Sequence, residues 1–133
     1  MGTETGMAKQ HVHDLCYLQS RVWEEMERCY RYGRHFSLIL FRADNGPRAQ
    51  IADCASAALA VMVSRLRSTD IVARVSDDTI AALLVETDPP GAARAVERMR
   101  EELQTYGGSW VSRSLSFPAD SPAIEALPFL EAA

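Results

Sequence analysis

Arginine and aspartate recur three residues apart around a short apolar segment in the middle of the chain. Arg67 and Asp70 form the first pair, and Arg74 and Asp77 form the second. A guanidinium donates in a planar fork and a carboxylate accepts, so such pairs suit bidentate recognition of planar polar groups. Of the 14 basic residues only Lys9 is a lysine, which favours planar recognition over diffuse attraction. Alone, the spacing is a weak signal, because both residue types are common in this chain.

The second pair leads into a tight acidic turn. Ser76-Asp77-Asp78 separates two apolar runs, Ile71–Val75 and Thr79–Val85, and this pattern predicts a β-hairpin. Two adjacent carboxylates can bind a stray divalent ion. Aspartate is also common in turns that hold no metal, so the sequence does not require a metal site here.

Histidine and cysteine are few and scattered. His11 and His13 with Cys16 could bind a transition metal, but a polar leader that carries two histidines is more often simply solvated. The three cysteines, which include Cys29 and Cys54, are odd in number and lack a C-x-x-C spacing. We therefore predict no disulfide framework, no zinc ribbon and no metal site, and we expect a reducing, cytoplasmic location.

Composition limits the possible classes of protein. The 133 residues, 47% of them hydrophobic, are enough for one compact domain with a core. A net charge of -4 argues against a nucleic-acid partner that binds a broad basic face. The longest apolar run, Ala57–Val63, is far below the roughly 20 residues that cross a bilayer. We expect no nucleic-acid partner and no direct membrane contact by this domain.

Hydrophobic periodicity predicts an α+β domain at residues 14–133 after a flexible leader at residues 1–13. Asp14 is a candidate N-cap and Gly33 a candidate stop of the first helix, and Asp88 with two prolines begins a later one. The predicted elements are a helix at 14–33, a strand at 36–41, a helix at 48–67, strands at 71–75 and 79–85, a helix at 88–105, a strand at 110–117 and one short helix in the tail. Such elements bury their apolar faces as helices packed on a mainly antiparallel sheet.

Three segments together resemble a GGDEF domain. Residues 32–44, YGRHFSLILFRAD, are similar to the end of the family's arginine-rich helix and the strand that finishes in D-x-D. Residues 68–80, STDIVARVSDDTI, resemble the family's SDLVARLGGDEF, and residues 92–103, AARAVERMREEL, resemble the helix that follows it. The match covers roughly residues 14–117 in the right order. It implies a nucleotidyl-cyclase palm-like fold with a ferredoxin-like core, and a family activity that condenses two GTP molecules into cyclic di-GMP.

Most of the residues that the family uses for catalysis are replaced. Two aspartates of the family hold magnesium ions, one after the first strand and one at the third signature position. Arg42 stands at the first of these positions, where a guanidinium cannot ligate a cation, and Asp78 keeps the second. The signature positions are Ser76, Asp77, Asp78 and Thr79, so the two glycines that let the backbone approach a nucleotide are absent. We therefore expect no catalytic residue, no catalytic Mg²⁺ and no cyclase activity, which makes an active diguanylate cyclase the least favoured hypothesis. We also expect Arg42 to pair with Asp78, in place of a metal.

The inhibitory site of the family, by contrast, matches at three positions. Arg67 and Asp70 have the family's R-x-x-D spacing ahead of the turn, and Arg98 matches the third residue of that site. Arg67 could donate to guanine O6 and N7, and Asp70 could accept from N1–H and N2–H. Arg98 could contact a phosphate or stack on a purine. The resemblance thus implies cyclic di-GMP as a ligand, and we expect no cofactor besides it.

A structural alternative explains the same residues without a ligand. Arg67 and Asp70 would be a helix-terminal arginine and a loop cap, and Arg94 and Arg98 would belong to a solvated face paired with neighbouring glutamates. The corresponding functional alternatives are a cyclic di-GMP receptor coupled to a protein partner or a homodimer, and an interaction module that uses its first helix without binding a nucleotide. A cleft around Arg98 open to solvent favours the receptor, whereas a cleft covered by the tail favours the module.

Overall fold

A five-stranded sheet with helices on both faces makes up this computed structural model, which describes residues 12–44, 48–105 and 109–131. The strands and helices, numbered separately in chain order, are β1 (Val12–His13), α1 (Leu15–Tyr32), β2 (Phe36–Asp44), α2 (Arg48–Arg65), β3 (Ile71–Arg74), β4 (Thr79–Val85), α3 (Pro89–Gln104), β5 (Ser109–Phe117), α4 (Ser121–Glu125) and α5 (Pro128–Glu131).

The sheet order is β1-β3-β4-β2-β5, in which only the β1–β3 pair is parallel. The central βαββαβ unit, from β2 to β5, gives the strand order of a ferredoxin-like core. This confirms the predicted α+β class and the mainly antiparallel sheet. The β3–β4 hairpin lies in the middle of this unit along the chain. Its turn is at the same end of the sheet as the end of β2, since Ala43 N donates to Asp78 O at 2.8 Å.

The first helix begins and ends where its sequence predicts. The Asp14 carboxylate accepts from Tyr17 N at 2.8 Å, which satisfies one of the free N–H groups of the first turn. Gly33 adopts a left-handed conformation with φ 65° and ψ 39°, and its N–H donates to Cys29 O. Glycine reaches this conformation without a Cβ clash, so it ends the helix and turns the chain into β2.

The sheet separates two apolar cores. On one face, α1, α4 and α5 pack against alternate residues of the strands, and on the other face α2 and α3 do the same. The largest fully buried side chains are Leu18, Phe36, Leu38, Leu83, Ile124 and Leu130 in the first core and Ile39, Phe41, Met62, Ile80, Met99 and Leu103 in the second. Burial on both faces explains why the central strands are continuously apolar rather than alternating.

Several expectations from the sequence need correction. Val12 and His13, assigned to the leader, form β1 and pair with Val72 and Ala73. The tail holds two short helices rather than one. Residues 1–11 of the predicted leader lie outside the described residues, as do the segments at 45–47 and 106–108.

None of the helices in the described ranges has both the length and the hydropathy to cross a bilayer.

Replacing Gly33 with alanine should lower the free energy of unfolding by roughly 1–2 kcal/mol, because an L-residue is strained at this positive φ. Ser20→Ala, at an exposed site on the same helix, is the matched control and should change it by less than about 0.5 kcal/mol. Urea unfolding followed by circular dichroism measures both. An unchanged midpoint for Gly33→Ala would contradict the assigned cap.

Candidate functional site

A cleft of about 510 Å³ opens where the ends of three helices and one strand meet. The end of α1 forms one wall, the end of α2 and the loop to β3 form another, and the end of β4 with the start of α3 forms the third. The cleft is lined by Gly33, Arg34, His35, Arg65, Leu66, Arg67, Asp70, Leu84, Glu86, Thr87, Asp88, Gly91, Arg94, Ala95 and Arg98. Five of these fifteen residues are arginines, so the local potential is positive although the chain is acidic.

The three residues predicted to bind a ligand, Arg67, Asp70 and Arg98, all line this cleft. No described residue of the tail lies in its wall, because α4 and α5 pack into the core on the α1 side of the sheet. Gln19 on α1 holds that tail through a side-chain hydrogen bond to Phe129 O. The tail, as far as Glu131, therefore leaves the cleft uncovered.

Asp70 is the most enclosed of the three, with a side chain that is only 3% exposed. Its Oδ2 accepts from Arg67 N at 3.1 Å and from Arg67 Nε at 3.2 Å. Its Oδ1 accepts from Arg67 Nη2 at 3.1 Å and from Val85 N at 3.3 Å. The carboxylate thus joins the end of α2 to the end of β4, as the structural alternative for this residue predicts.

Arg67 directs one edge of its guanidinium into the protein. Besides its bonds to Asp70, Nη2 donates to Val85 O at 2.8 Å and to Thr87 Oγ1 at 3.1 Å. The side chain is nevertheless 57% exposed, and Nη1 has no hydrogen-bond partner within the described ranges. Arg67 therefore offers the cleft its charge and a single free nitrogen.

Arg94 and Arg98 lie one turn apart on α3 and both face the cleft. Neither has a hydrogen-bond or ion-pair partner among the residues that the structure describes, although Glu97 and Glu101 are neighbours in sequence. The expected pairing with these glutamates is absent there, so the two guanidinium groups are available to an anion. Side chains at this spacing are about 5–6 Å apart at their Cβ atoms.

Glu86 bridges α1 to the cleft. It accepts from Arg28 at 3.0 Å and from Arg34 at 3.3 Å, and its backbone has a φ of 51°, unusual for a non-glycine residue. The hydrogen bond from Arg28 has the larger effect. Together with the hydrogen bond from Arg34, it lowers the pKa of Glu86 below its ordinary value. Arg34 is therefore already engaged by a carboxylate, in contrast to the two arginines of α3.

Arg94, Arg34 and Glu86 were not predicted as site residues. Arg94 has a signal that could have found it, because it lies one helical turn before Arg98 and must share its face. Glu86 and Arg34 have no such signal in the sequence, since their ion pair depends on how α1 and β4 pack. The sequence thus reveals helix-borne members of the cleft more readily than those brought by tertiary packing.

The acidic turn at the other end of the sheet is held by its own hydrogen bonds. Asp78 Oδ1 accepts from Ser76 Oγ at 2.8 Å and from Thr79 Oγ1 at 2.9 Å. The Ser76 hydroxyl in particular, with that of Thr79, lowers the pKa of Asp78. Arg74 donates to Ser76 O at 3.1 Å and to Asp77 O at 2.7 Å. One guanidinium group thus binds two backbone carbonyls of the turn, a contact that we call the Arg74 clamp.

Arg42 does not form the predicted ion pair with Asp78. It lies beside the turn, opposite Thr79 in the β2–β4 register, and its charge helps to lower the pKa of Asp78. Its Nη1, however, is 3.6 Å from Oδ1 of Asp44 on its own strand. Arg42 and Asp44 side chains share one face of β2, whereas the Asp78 carboxylate turns to the neighbouring hydroxyls.

The turn does not fit the magnesium ions that the resemblance implies. A guanidinium occupies one of the two metal positions, and the remaining carboxylate, Asp78, already accepts two hydroxyl hydrogen bonds through one oxygen. Magnesium requires several oxygen ligands in near-octahedral geometry. Across the described ranges no three His, Cys, Asp or Glu side chains group in a way that could hold a metal ion.

No protein-family model and no curated protein matches the chain, but solved structures do. A DGC protein from Thermotoga maritima is 18% identical with a TM-score of 0.79, over 94% of this chain and 97% of that chain. A microbial GGDEF domain, described in an interaction with cyclic di-GMP, is 14% identical with a TM-score of 0.69, over 95% and 87%. The GGDEF domain of DgcB from Caulobacter crescentus, in complex with cyclic di-GMP, is 11% identical with a TM-score of 0.63, over 81% and 71%. The chain therefore has the fold of GGDEF domains.

Removing both hydroxyls, in Ser76→Ala with Thr79→Val, should raise the pKa of Asp78 toward its ordinary value. Because the folded-state pKa is depressed, the stabilisation is complete above the unfolded-state pKa and is lost as pH falls through the folded-state pKa. Parent and variant should thus differ in stability at neutral pH and converge in acid. An NMR titration of the Asp78 carboxyl carbon measures the shift, with Ser114→Ala as the control.

Proposed function

We propose that the protein is a cyclic di-GMP receptor that binds its ligand in the cleft between α1, α2 and α3. The observation that carries this proposal is that Arg94 and Arg98, which have no partner among the described residues, lie beside Arg67 in a cleft that the described tail leaves open. Unpaired arginines one turn apart repel each other, so an anion that lies between them relieves a cost that the free protein bears. Asp70 and Arg67 then form the floor against which the ligand packs.

The ligand chemistry agrees with this arrangement. A cyclic dinucleotide carries two phosphate groups and two purine rings, and guanidinium groups bind phosphate oxygens in bidentate fashion and stack on purine planes. Two of the similar solved structures concern GGDEF domains with cyclic di-GMP, which supports the choice of ligand. The proposed site consists of Arg67, Asp70 and Arg98, to which we add Arg94 because it lines the same cleft.

We further infer that the domain does not synthesise cyclic di-GMP. Phosphoryl transfer of this kind depends on metal ions that neutralise developing charge, and Arg42 and the hydroxyl-bonded Asp78 do not make a magnesium site. Ser76 and Asp77 also add side chains where a nucleotide would have to approach the backbone. Binding without turnover is the function that these residues support best.

A protein-interaction module is the second candidate, favoured by the aromatic side chains that α1 exposes. Tyr30 is 85% exposed, Tyr32 is 63% exposed and Trp23 is 40% exposed. Large exposed aromatic side chains are typical of protein interfaces. A homodimer or a protein partner on this helix is compatible with the receptor, and it becomes the sole function if no nucleotide binds.

Titration of the protein with cyclic di-GMP by calorimetry should give saturable heat with a Kd of about 1–50 µM. Arg98→Ala and Arg94→Ala should each weaken binding at least about tenfold, because each removes a charge-assisted contact to phosphate. Arg113→Ala removes an exposed arginine on β5, outside the cleft, and should leave the affinity unchanged. Higher salt should weaken binding of the parent protein.

If a titration to roughly tens of micromolar cyclic di-GMP gives no saturable heat, the proposed receptor function is refuted. Equal losses for Arg98→Ala and Arg113→Ala would instead show that the ligand responds only to net charge and does not use this cleft.

Incubation with GTP and Mg²⁺ or Mn²⁺ should yield no cyclic di-GMP above a no-protein blank, since the turn lacks one metal-binding carboxylate. Product analysis by chromatography with mass detection provides the measurement. Formation of cyclic di-GMP by the parent protein that is abolished in Asp78→Ala would contradict the inference.

A further inference from the structure

Strand β5 forms one edge of the sheet, and its outer side pairs with no described strand. It pairs with β2 along its whole length, from Ser109 to Phe117. At the opposite edge of the sheet, β1 has only two residues. Natural sheets usually protect their edges with very short strands, prolines, lysines or bulges. β1 follows this rule, whereas β5 has nine residues and contains neither proline nor lysine.

The direction of the β5 backbone groups follows from the hydrogen bonds at one end of the strand. Ser116 N donates to Asp120 Oδ2 at 2.8 Å, and Ser116 O accepts from Asp120 N at 2.7 Å. These groups therefore point away from β2. Successive residues of an antiparallel strand alternate in the side to which their backbone groups point. The N–H and C=O groups of Trp110, Ser112 and Ser114 thus point away from β2 as well.

These outward groups of Trp110, Ser112 and Ser114 have no hydrogen-bond partner within residues 12–44, 48–105 and 109–131. An unpaired strand edge is a template on which another extended chain adds as a further strand. Ser116 does not take part, since Asp120 already binds both of its groups. We call the remaining part of β5, residues 110–114, the open edge.

Positively charged side chains flank the open edge on both faces of the sheet. Val111 and Arg113 lie on one face, and Ser112 and Ser114 lie on the other. Arg113 is exposed and has no hydrogen-bond or ion-pair partner in the described part of the chain. On the other face, Arg100 of α3 donates to Ser112 Oγ at 3.1 Å. A second guanidinium therefore lies beside the same short stretch of backbone.

We propose that the open edge binds an extended acidic segment of a partner protein, which adds to the sheet as a further strand. Main-chain hydrogen bonds provide the affinity, and adjacent carboxylates, one on each face of the added strand, pair with Arg113 and Arg100. The charges disfavour a second copy of this chain as the occupant. A two-fold pairing centred on Ser112 would use every outward group, but it would bring two Arg100 side chains together.

The open edge and the cleft lie at different ends of the sheet. Trp110 is opposite Ala43, near the end of β2. Phe36, at the start of β2, directly follows the cleft residue His35. The partner segment and a ligand in the cleft can therefore bind at the same time, and this inference does not rest on the proposed function.

The test uses the complete chain and a synthetic peptide, Thr-Val-Glu-Asp-Val-Thr-Val, with both ends blocked and a fluorescent label. Because neighbouring residues of a strand point to opposite faces, its two carboxylates can reach both guanidinium groups. Fluorescence anisotropy should give a Kd of about 10–500 µM. A control peptide with Gln and Asn in place of Glu and Asp should bind at least about fivefold more weakly.

Two variants separate the backbone contribution from the charge. Ser114→Pro removes an outward N–H and leaves the β2–β5 hydrogen bonds intact, so it should weaken the acidic peptide at least about fivefold. Ser114→Ala keeps that N–H and should change nothing. Arg113→Gln should weaken the acidic peptide at least about threefold and leave the control peptide unchanged. Since Arg113 is an exposed side chain, this variant keeps the test decisive even if Ser114→Pro does not fold.

The possible outcomes support or overturn the inference as follows. Binding of the acidic peptide that is weakened in Ser114→Pro and in Arg113→Gln, but not in Ser114→Ala, supports it. No binding, or equal binding of the two peptides, overturns it. A dimer in sedimentation experiments that Ser114→Pro abolishes would show that a second copy occupies the edge, and it would overturn the inference too. None of these results bears on binding of cyclic di-GMP, which is measured separately.

Discussion

The enclosed carboxylate of Asp70 is the interaction on which the cleft depends. A polar group with so little exposure is stable only if its oxygens are satisfied, and here the partners come from the end of α2 and the end of β4. Because β4 continues directly into Glu86 and α3, this joint fixes where α3 leaves the sheet. The distance between Arg67 and the arginines of α3 is therefore set by a buried hydrogen-bond network rather than by the arginine side chains themselves.

Local positive charge in an acidic chain follows from how the carboxylates are distributed. Glu25 is 4% exposed and pairs with Arg21 and Arg28 on α1, so a buried charge there is matched within one helix. Glu86 and Glu102 engage the arginines at the rim of the cleft. The carboxylates of the described residues are thus placed so that α3 is left with an excess of positive charge on one side, which net charge alone could not reveal.

Local chemistry explains what could be predicted from the sequence. Asp14, Gly33 and Asp88 act through neighbouring backbone atoms, so the ends of α1 and the start of α3 could be placed without tertiary information. Strand β1 has only two residues and no periodicity, and it exists because β3 offers an edge. Arg67, Asp70 and Arg98 were located by spacing, yet the direction of the Arg67 fork depends on Val85 O and Thr87, which only folding brings near. The Arg42–Asp78 pairing was wrong because nearer hydroxyls compete for the carboxylate.

The clamp that Arg74 places on the hairpin has a consequence for how this sequence could change over time. Its guanidinium binds the carbonyl oxygens of Ser76 and Asp77, and every amino acid supplies a carbonyl. These contacts are therefore independent of which side chains occupy the turn, unlike the hydrogen bonds that Ser76 and Thr79 donate to Asp78. Substitutions in the turn that keep the contacts of Arg74 can therefore accumulate without loss of the fold.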